Sequence, residues 1–342
     1  MGVKGWKKLR KLFIGLVFAI LLIALAGCGE KSKKDVVDSL DAKVEQMSGY
    51  KANAKMTLST GKGTQEYSVE IWHNKPSYYR VNLQNATKDQ NQMILRNDEG
   101  VYVLTPALNK SFRFQSDWPQ NSSQAYLYES LVQDIKKDKN AEFKSTKDNY
   151  VFTTKTNYQN SAVLPKQTIT ISKKDLTPKS VKIMDTDANV LVKVTFSKVV
   201  MDAKFDKGAF DTKRNMTGAK MEVPTMAQQS KKPLEVKYPL QTSGATLLNE
   251  KKLKTDKGDR VILSYGGKKK FTIIQERAEV AQVSASTFVA GVPVDLGFAV
   301  GALTDHSLSW SYEGVDYMIA SKDLSKDELQ DVARSVQGQM VK

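Results

Sequence analysis

The stretch Val190–Val200, VLVKVTFSKVV, alternates with a period of two: Val190, Val192, Val194 and Phe196 fall on one side of an extended chain, Lys193, Thr195 and Ser197 on the other. One dry and one wet face is what an antiparallel sheet on the surface of a core requires. The pattern recurs upstream in Gln65–His73, where Tyr67, Val69 and Ile71 oppose Ser68, Glu70 and Trp72. Further strands are expected at Tyr78–Leu83, Gln92–Arg96, Val101–Leu104, Ser111–Phe114, Glu142–Ser145, Tyr150–Lys155, Gln167–Ser172 and Ser180–Met184. Turn-forming runs such as Asn74-Lys75-Pro76, Asn97-Asp98-Glu99-Gly100 and Asp185-Thr186-Asp187 separate them, and connections this short favour antiparallel neighbours.

Two segments carry helical spacing instead. Val36, Leu40, Val44 and Met47 predict a helix over Asp35–Met47, ended by Ser48-Gly49; Leu127, Leu131 and Ile135, widened by Tyr128 and Val132, predict another over Gln124–Lys137. A sheet of about ten strands twists by roughly 20–25° per strand and curls. With helices on its concave side it becomes an incomplete antiparallel β-barrel with a helical lid, a β-rich α+β fold. Two helices fill such a hollow only in part, so aromatic and Met side chains or a ligand with an apolar body take the rest. The candidate lining is Val69, Ile71, Met93, Leu95, Val192, Val194 and Phe196.

Residues 220–233, rich in small and polar side chains, read as a linker between a half-barrel domain at 35–219 and a small α+β domain at 234–342. The second domain offers strands at Arg260–Tyr265, Phe271–Gln275, Ala299–Leu303, Leu308–Tyr312 and Tyr317–Ala320. A helix over Ser325–Val336 follows, opened by a capping box of Ser325 with Glu328.

The N-terminus has its own logic. Lys4, Lys7, Lys8, Arg10 and Lys11 precede an uncharged, mostly apolar run from Leu12 to Gly27, the layout of a secretory signal peptide over residues 1–27. Leu25, Ala26, Gly27 and Cys28 resemble the lipobox of bacterial lipoproteins. That resemblance implies a diacylglyceryl group on the Cys28 sulfur, cleavage before it, a short tether over 28–34 and residence at the cell membrane on its extracytoplasmic face. Several acyl chains, each methylene contributing roughly 0.8 kcal/mol, hold where one chain binds only marginally.

Composition excludes several classes. Cys28 is the only cysteine, so once it is acylated no disulfide, thiol nucleophile or cysteine metal site remains. The two histidines, His73 and His306, lie in separate halves, and neither adjoins a nucleophile turn. Phosphate-cradling loops and metal-binding signatures are missing, so no catalytic residue, metal or cofactor beyond the Cys28 lipid is expected. Residues 1–27 hold five basic and no acidic residues, which leaves 47 basic against 37 acidic side chains and a formal charge of +10. That excess is scattered, without the clustering of a nucleic-acid reader.

The phrases SGYKANAKMTL (48–58), EIWHNKPSYYRV (70–81), MILRNDEGVYVLTPALNKSFRFQSDWP (93–119) and YLYESLVQDI (126–135) resemble the outer-membrane lipoprotein carrier (LolA/LolB-like) superfamily, in particular its Gram-positive sporulation-associated lipoproteins. The resemblance implies a hydrophobic half-barrel cavity that accepts the acyl chains of lipids or lipoproteins. A permanent anchor departs from a soluble shuttle, so binding is carried over and delivery is not. LSWSYEGVDYMIASKDLSKDELQDVARSV (308–336) resembles a small domain found in Gram-positive membrane-anchored regulators, which implies an envelope protein partner. The expected function is therefore lipid or lipoprotein binding at the membrane. Its alternative is a signalling or interaction lipoprotein with a filled barrel, acting through its C-terminal domain.

Overall fold

The computed structural model describes residues 30–60, 63–85, 90–119, 124–157, 164–222, 234–256, 258–281 and 286–338. The signal segment, Cys28 and residues 223–233 of the linker lie outside them. Helix α1 (Lys33–Gln46) starts at a capping box, with the Ser32 hydroxyl accepting from the Asp35 amide and the Asp35 carboxylate accepting from the Ser32 amide. Strands β1 (Gly49–Thr60), β2 (Gly63–Asn74), β3 (Tyr78–Asn85), β4 (Gln90–Asn97), β5 (Gly100–Thr105) and β6 (Lys110–Phe114) then run as an antiparallel meander. After α2 (Tyr128–Lys137) a second meander follows: β7 (Glu142–Ser145), β8 (Asn149–Lys155), β9 (Lys166–Ser172), β10 (Pro178–Met184) and β11 (Val190–Met201). The two halves join where β11 pairs with β1, Tyr50 opposite Met201 and Met56 opposite Val194.

The result is one open sheet, β6-β5-β4-β3-β2-β1-β11-β10-β9-β8-β7, with a twelfth strand on the β6 edge. That strand is β15 (Ser286–Val289), and it pairs parallel, Ser286 opposite Ser111. It belongs to the C-terminal half, so the half-barrel is completed by a strand the sequence assigns to the other domain. The remaining strands, β12 (Ala245–Thr255), β13 (Gly258–Gly267), β14 (Phe271–Arg277), β16 (Val292–Asp295), β17 (Val300–Leu303), β18 (Ser307–Tyr312) and β19 (Val315–Ala320), form a seven-stranded antiparallel sheet. Helix α4 (Lys326–Val336) buries Leu329, Val332, Ala333 and Val336, with the expected Ser325–Glu328 box in place.

Two differences from the sequence reading have plain causes. Helix α2 starts at Tyr128 because residues 124–127 form a turn, Leu127 N–H to Gln124 O at 3.2 Å, and the Tyr128 amide is taken by the Tyr50 hydroxyl at 3.1 Å. A third helix, α3 (Thr212–Glu222), runs through Glu222 into the segment read as linker. Asp211 caps it, accepting from the Arg214 amide at 2.7 Å.

The large sheet is buried on both faces over part of its area. Its inner face, α1, α2 and the second sheet share one continuous apolar cluster. On the outer face a separate cluster of Met93, Leu95, Tyr102 and Leu104 lies with Phe210, Met216 and Ala219 of the α3 region. Leu40, wholly buried in the inner cluster, should cost about 2–5 kcal/mol as Leu40→Ala. Val190, 38% exposed at the start of β11, should change stability by less than about 0.5 kcal/mol as Val190→Ala. Urea denaturation of the two variants checks the contrast; equal losses would refute the burial of Leu40 in the inner cluster.

Candidate functional site

The inner wall of the half-barrel is the natural site. Register sets which side chains reach it. Val69 faces Ala54 on β1 and Leu83 on β3; Ile71 faces Ala52 and Val81. Val194 faces Met56 and Val181, and Phe196 faces Ala54. Of the seven candidate residues, Val69, Ile71, Val194 and Phe196 belong to this inner cluster, with Val192 partly buried at its border. Met93 and Leu95 do not. They stand one residue to either side of the inward Ile94 and therefore point outward, into the cluster with α3. The short apolar run Met93-Ile94-Leu95 puts apolar residues on both faces of β4, so alternation alone could not orient it.

The described wall is covered. A void wide enough for an acyl chain would leave its lining open to a water-sized sphere, yet Ile71, Val81, Phe152, Ile169 and Val194 have 0% exposure. The cover has three parts. Helices α1 and α2 supply Val36, Leu40, Leu131, Val132 and Ile135. The segment leading to α2 supplies Trp118, edge-on to Tyr79 with ring centroids 5.7 Å apart, and Tyr128, edge-on to Tyr50 at 6.3 Å. The second sheet supplies Leu296 and Phe298.

Polar contacts fasten this cover. His73 Nδ1 lies 3.1 Å from the Tyr78 carbonyl, which can only accept, so Nδ1 carries a proton. Nε2 lies 2.9 Å from Glu129 Oε1 on α2. Tyr50 donates to the other Glu129 oxygen at 3.1 Å. Burial, then the Glu129 charge, pushes the Tyr50 hydroxyl far above the ordinary phenol range, so it remains a donor. His73 also stacks on Tyr79 at 4.3 Å and is 2% exposed, so neither ring nitrogen is free to act as a base. Farther along α2, Asp134 accepts from the buried Gln167 amide at 2.6 Å, and Tyr128 donates to Leu176 O at 2.8 Å. Arg96 donates to the carbonyls of Asp117 and Trp118, holding the segment that leads to the helix. The other strand arginines are elsewhere: Arg80 pairs with Glu70 and lies 4.3 Å above the Trp72 ring, and Arg113 donates to Glu99 O. The second histidine, His306, is exposed.

Where the second sheet meets the wall, a cleft remains. The β18–β19 hairpin turns through Glu313 and Gly314, both in the left-handed region (φ 50° and 71°), as a two-residue turn between paired strands requires. Its tip faces Tyr67, Leu83, Gln92 and Thr105 of the large sheet and Leu108 in the turn after β5. The Tyr312 hydroxyl donates to Gln65 Oε1 at 3.1 Å, Val300 N–H donates to Gln92 Oε1 at 2.8 Å, and Lys110 pairs with Asp316 at 2.7 Å. Counted with its open mouth the cleft encloses about 500 Å³. Among the described residues, no group of three or more His, Cys, Asp or Glu side chains is arranged to hold a metal ion.

The sequence matches the family described as Sporulation protein YdcC-like over residues 7–210. It is 54% identical to the Sporulation protein YdcC of Bacillus subtilis over 338 residues, covering 98% of this chain and all of that protein. Among solved structures, the MucA/MucB complex of Pseudomonas aeruginosa aligns at 13% identity, covering 88% of this chain and 97% of that one, with a TM-score of 0.32. The LolA superfamily protein NE2245 of Nitrosomonas europaea aligns at 10% identity over 54% of this chain and 99% of that one, with a TM-score of 0.30. On the family match and on the identity to the Bacillus protein, the chain belongs to the YdcC-like sporulation protein family.

Proposed function

We propose that this chain is a lipid-anchored protein on the extracytoplasmic face of the cell membrane, serving sporulation as a scaffold that binds an envelope protein, with its half-barrel filled by its own side chains. The covered inner wall carries the reading: strand residues that would line an acyl cavity are buried by helices, by Trp118, Tyr126 and Tyr128, and by the second sheet. Exchange of that cover for a lipid tail would break the contacts of Glu129, Asp134 and Arg96 described above. The name of the Bacillus relative supports the tie to sporulation. A protein partner is supported by the outward face of the second sheet, where Ile262, Ile274 and Met318 stand in register and Met318 is 40% exposed. Catalysis is not part of the proposal, because the one buried histidine is consumed by its structural partners.

A second reading, binding of a lipid or lipoprotein acyl chain, is favoured by the cleft at the hairpin tip, with Tyr67, Leu83, Leu108, Phe298 and Tyr312 in its lining. Native mass spectrometry of the protein released from membranes separates the two. The filled scaffold should carry no lipid beyond the group on Cys28 and take up no fluorescent fatty acid; a second, stoichiometric amphiphile would overturn it in favour of acyl binding. The anchor has its own check. Cells fed labelled palmitate should incorporate it into the protein, and Cys28→Ala should abolish the label; label persisting in that variant would refute lipidation at this residue.

A further inference from the structure

The N-terminal tether meets one end of the strands of the large sheet, and the β18–β19 hairpin of the second sheet meets the other. Glu30, the first described residue, lies 2.9 Å from the Ser145 hydroxyl and 3.3 Å from Lys173 Nζ. Ser145 closes β7, and Lys173 opens the β9–β10 turn. Lys33 fixes the start of α1 to the same region, donating to Lys139 O at 3.1 Å and Ala141 O at 2.5 Å. Through β10 and β11 this end coincides with the start of β1, where Tyr50 pairs with Met201 and Asp202 N–H donates to Gly49 O at 2.8 Å. The opposite end is the β1–β2 hairpin, where Thr60 pairs with Gly63. There the second sheet docks, through Gln65, Gln92 and Lys110. Strands β1 and β11 each run twelve residues, so the two ends are separated by about 40 Å.

From Glu30 back to Cys28 the chain spans two residues, a reach of at most ~7 Å. We infer that the body stands on the bilayer by the end of the large sheet built from the β7–β8 and β9–β10 turns, and holds the β1–β2 and β10–β11 hairpins a strand's length away from the lipid surface. The inference rests on the reading of Cys28 as acylated.

The single natural cysteine makes the test direct, since in the acylated chain an introduced cysteine is the only thiol. Lys174→Cys, Asp187→Cys and Lys254→Cys, all exposed positions, are labelled with a fluorophore in the full chain in phosphatidylglycerol-containing vesicles that bear nitroxide headgroup lipids. The label at 174 should lose most of its emission, and those at 187 and 254 almost none. Equal quenching at 174 and 187, or stronger quenching at 254, would overturn the upright orientation while leaving the anchor intact. Failure of all three variants to stay on the vesicles, with no palmitate incorporated, would instead remove the anchor and this inference with it.

Discussion

Keeping dry the inner wall of a curved sheet is the constraint on which the other features depend. Eleven antiparallel strands in one open layer present Val, Ile, Leu and aromatic side chains to a concavity that two short helices cannot span. The chain meets this in cis from three directions: α1 and α2 from its own half, the aromatic segment around Trp118 between the two meanders, and the second sheet from the C-terminal half. The polar contacts of His73, Glu129, Tyr50, Asp134 and Gln167 follow from the same constraint. Helix α2 crosses a wall from which water is excluded, and there His73 and Tyr50 both lie against the Glu129 carboxyl while Gln167 donates to Asp134.

That constraint also joins what the sequence presents as two domains. Residues 220–233 read as a linker between a half-barrel domain and a small α+β domain, and across that division β15 extends the large sheet from the second half, Asn109 Nδ2 donates to Ala281 O at 2.5 Å, and the β18–β19 hairpin seats itself at the mouth of the half-barrel. A protein partner bound to the second sheet is thereby bound to a body coupled to the tether.

How much could be read from residues alone varies with how one-sided each element is. Val192, Val194 and Phe196 on β11, and Val69 and Ile71 on β2, sit on strands whose other face is polar, so alternation found both the strand and its inward side. On β4 the apolar run Met93-Ile94-Leu95 crosses both faces, and on β5 Val101, Tyr102, Val103 and Leu104 are all buried, because α3 covers the face opposite the hollow. Period-two reasoning sees such a strand but cannot say which side faces in, which is why Met93 and Leu95 were assigned to the wrong wall. Helix α3 left little trace, since Met216 and Ala219 are its clearly buried apolar residues. Strand β12 was hidden by Lys251, Lys252 and Lys254 and by a bulge after Leu247, features that suit a sheet edge and erase alternation. The four-residue β15 is defined by a partner more than 170 positions away, and no local pattern encodes that.

The physical case against a carrier follows from where an acyl chain would come from. A methylene leaving water gains roughly 0.8 kcal/mol, but a chain already in a bilayer gains almost nothing by moving into protein. A membrane-anchored acceptor must therefore offer a hollow that is empty beforehand, or one whose opening is driven by other contacts. Here the hollow is occupied, and admitting a tail would expose Trp118, Phe298 or the face of α2 while breaking the buried polar contacts that hold them. The incoming chain repays none of that unless the displaced cover finds a new surface. A partner protein could supply such a surface, so any lipid uptake by this fold would be coupled to protein binding instead of preceding it.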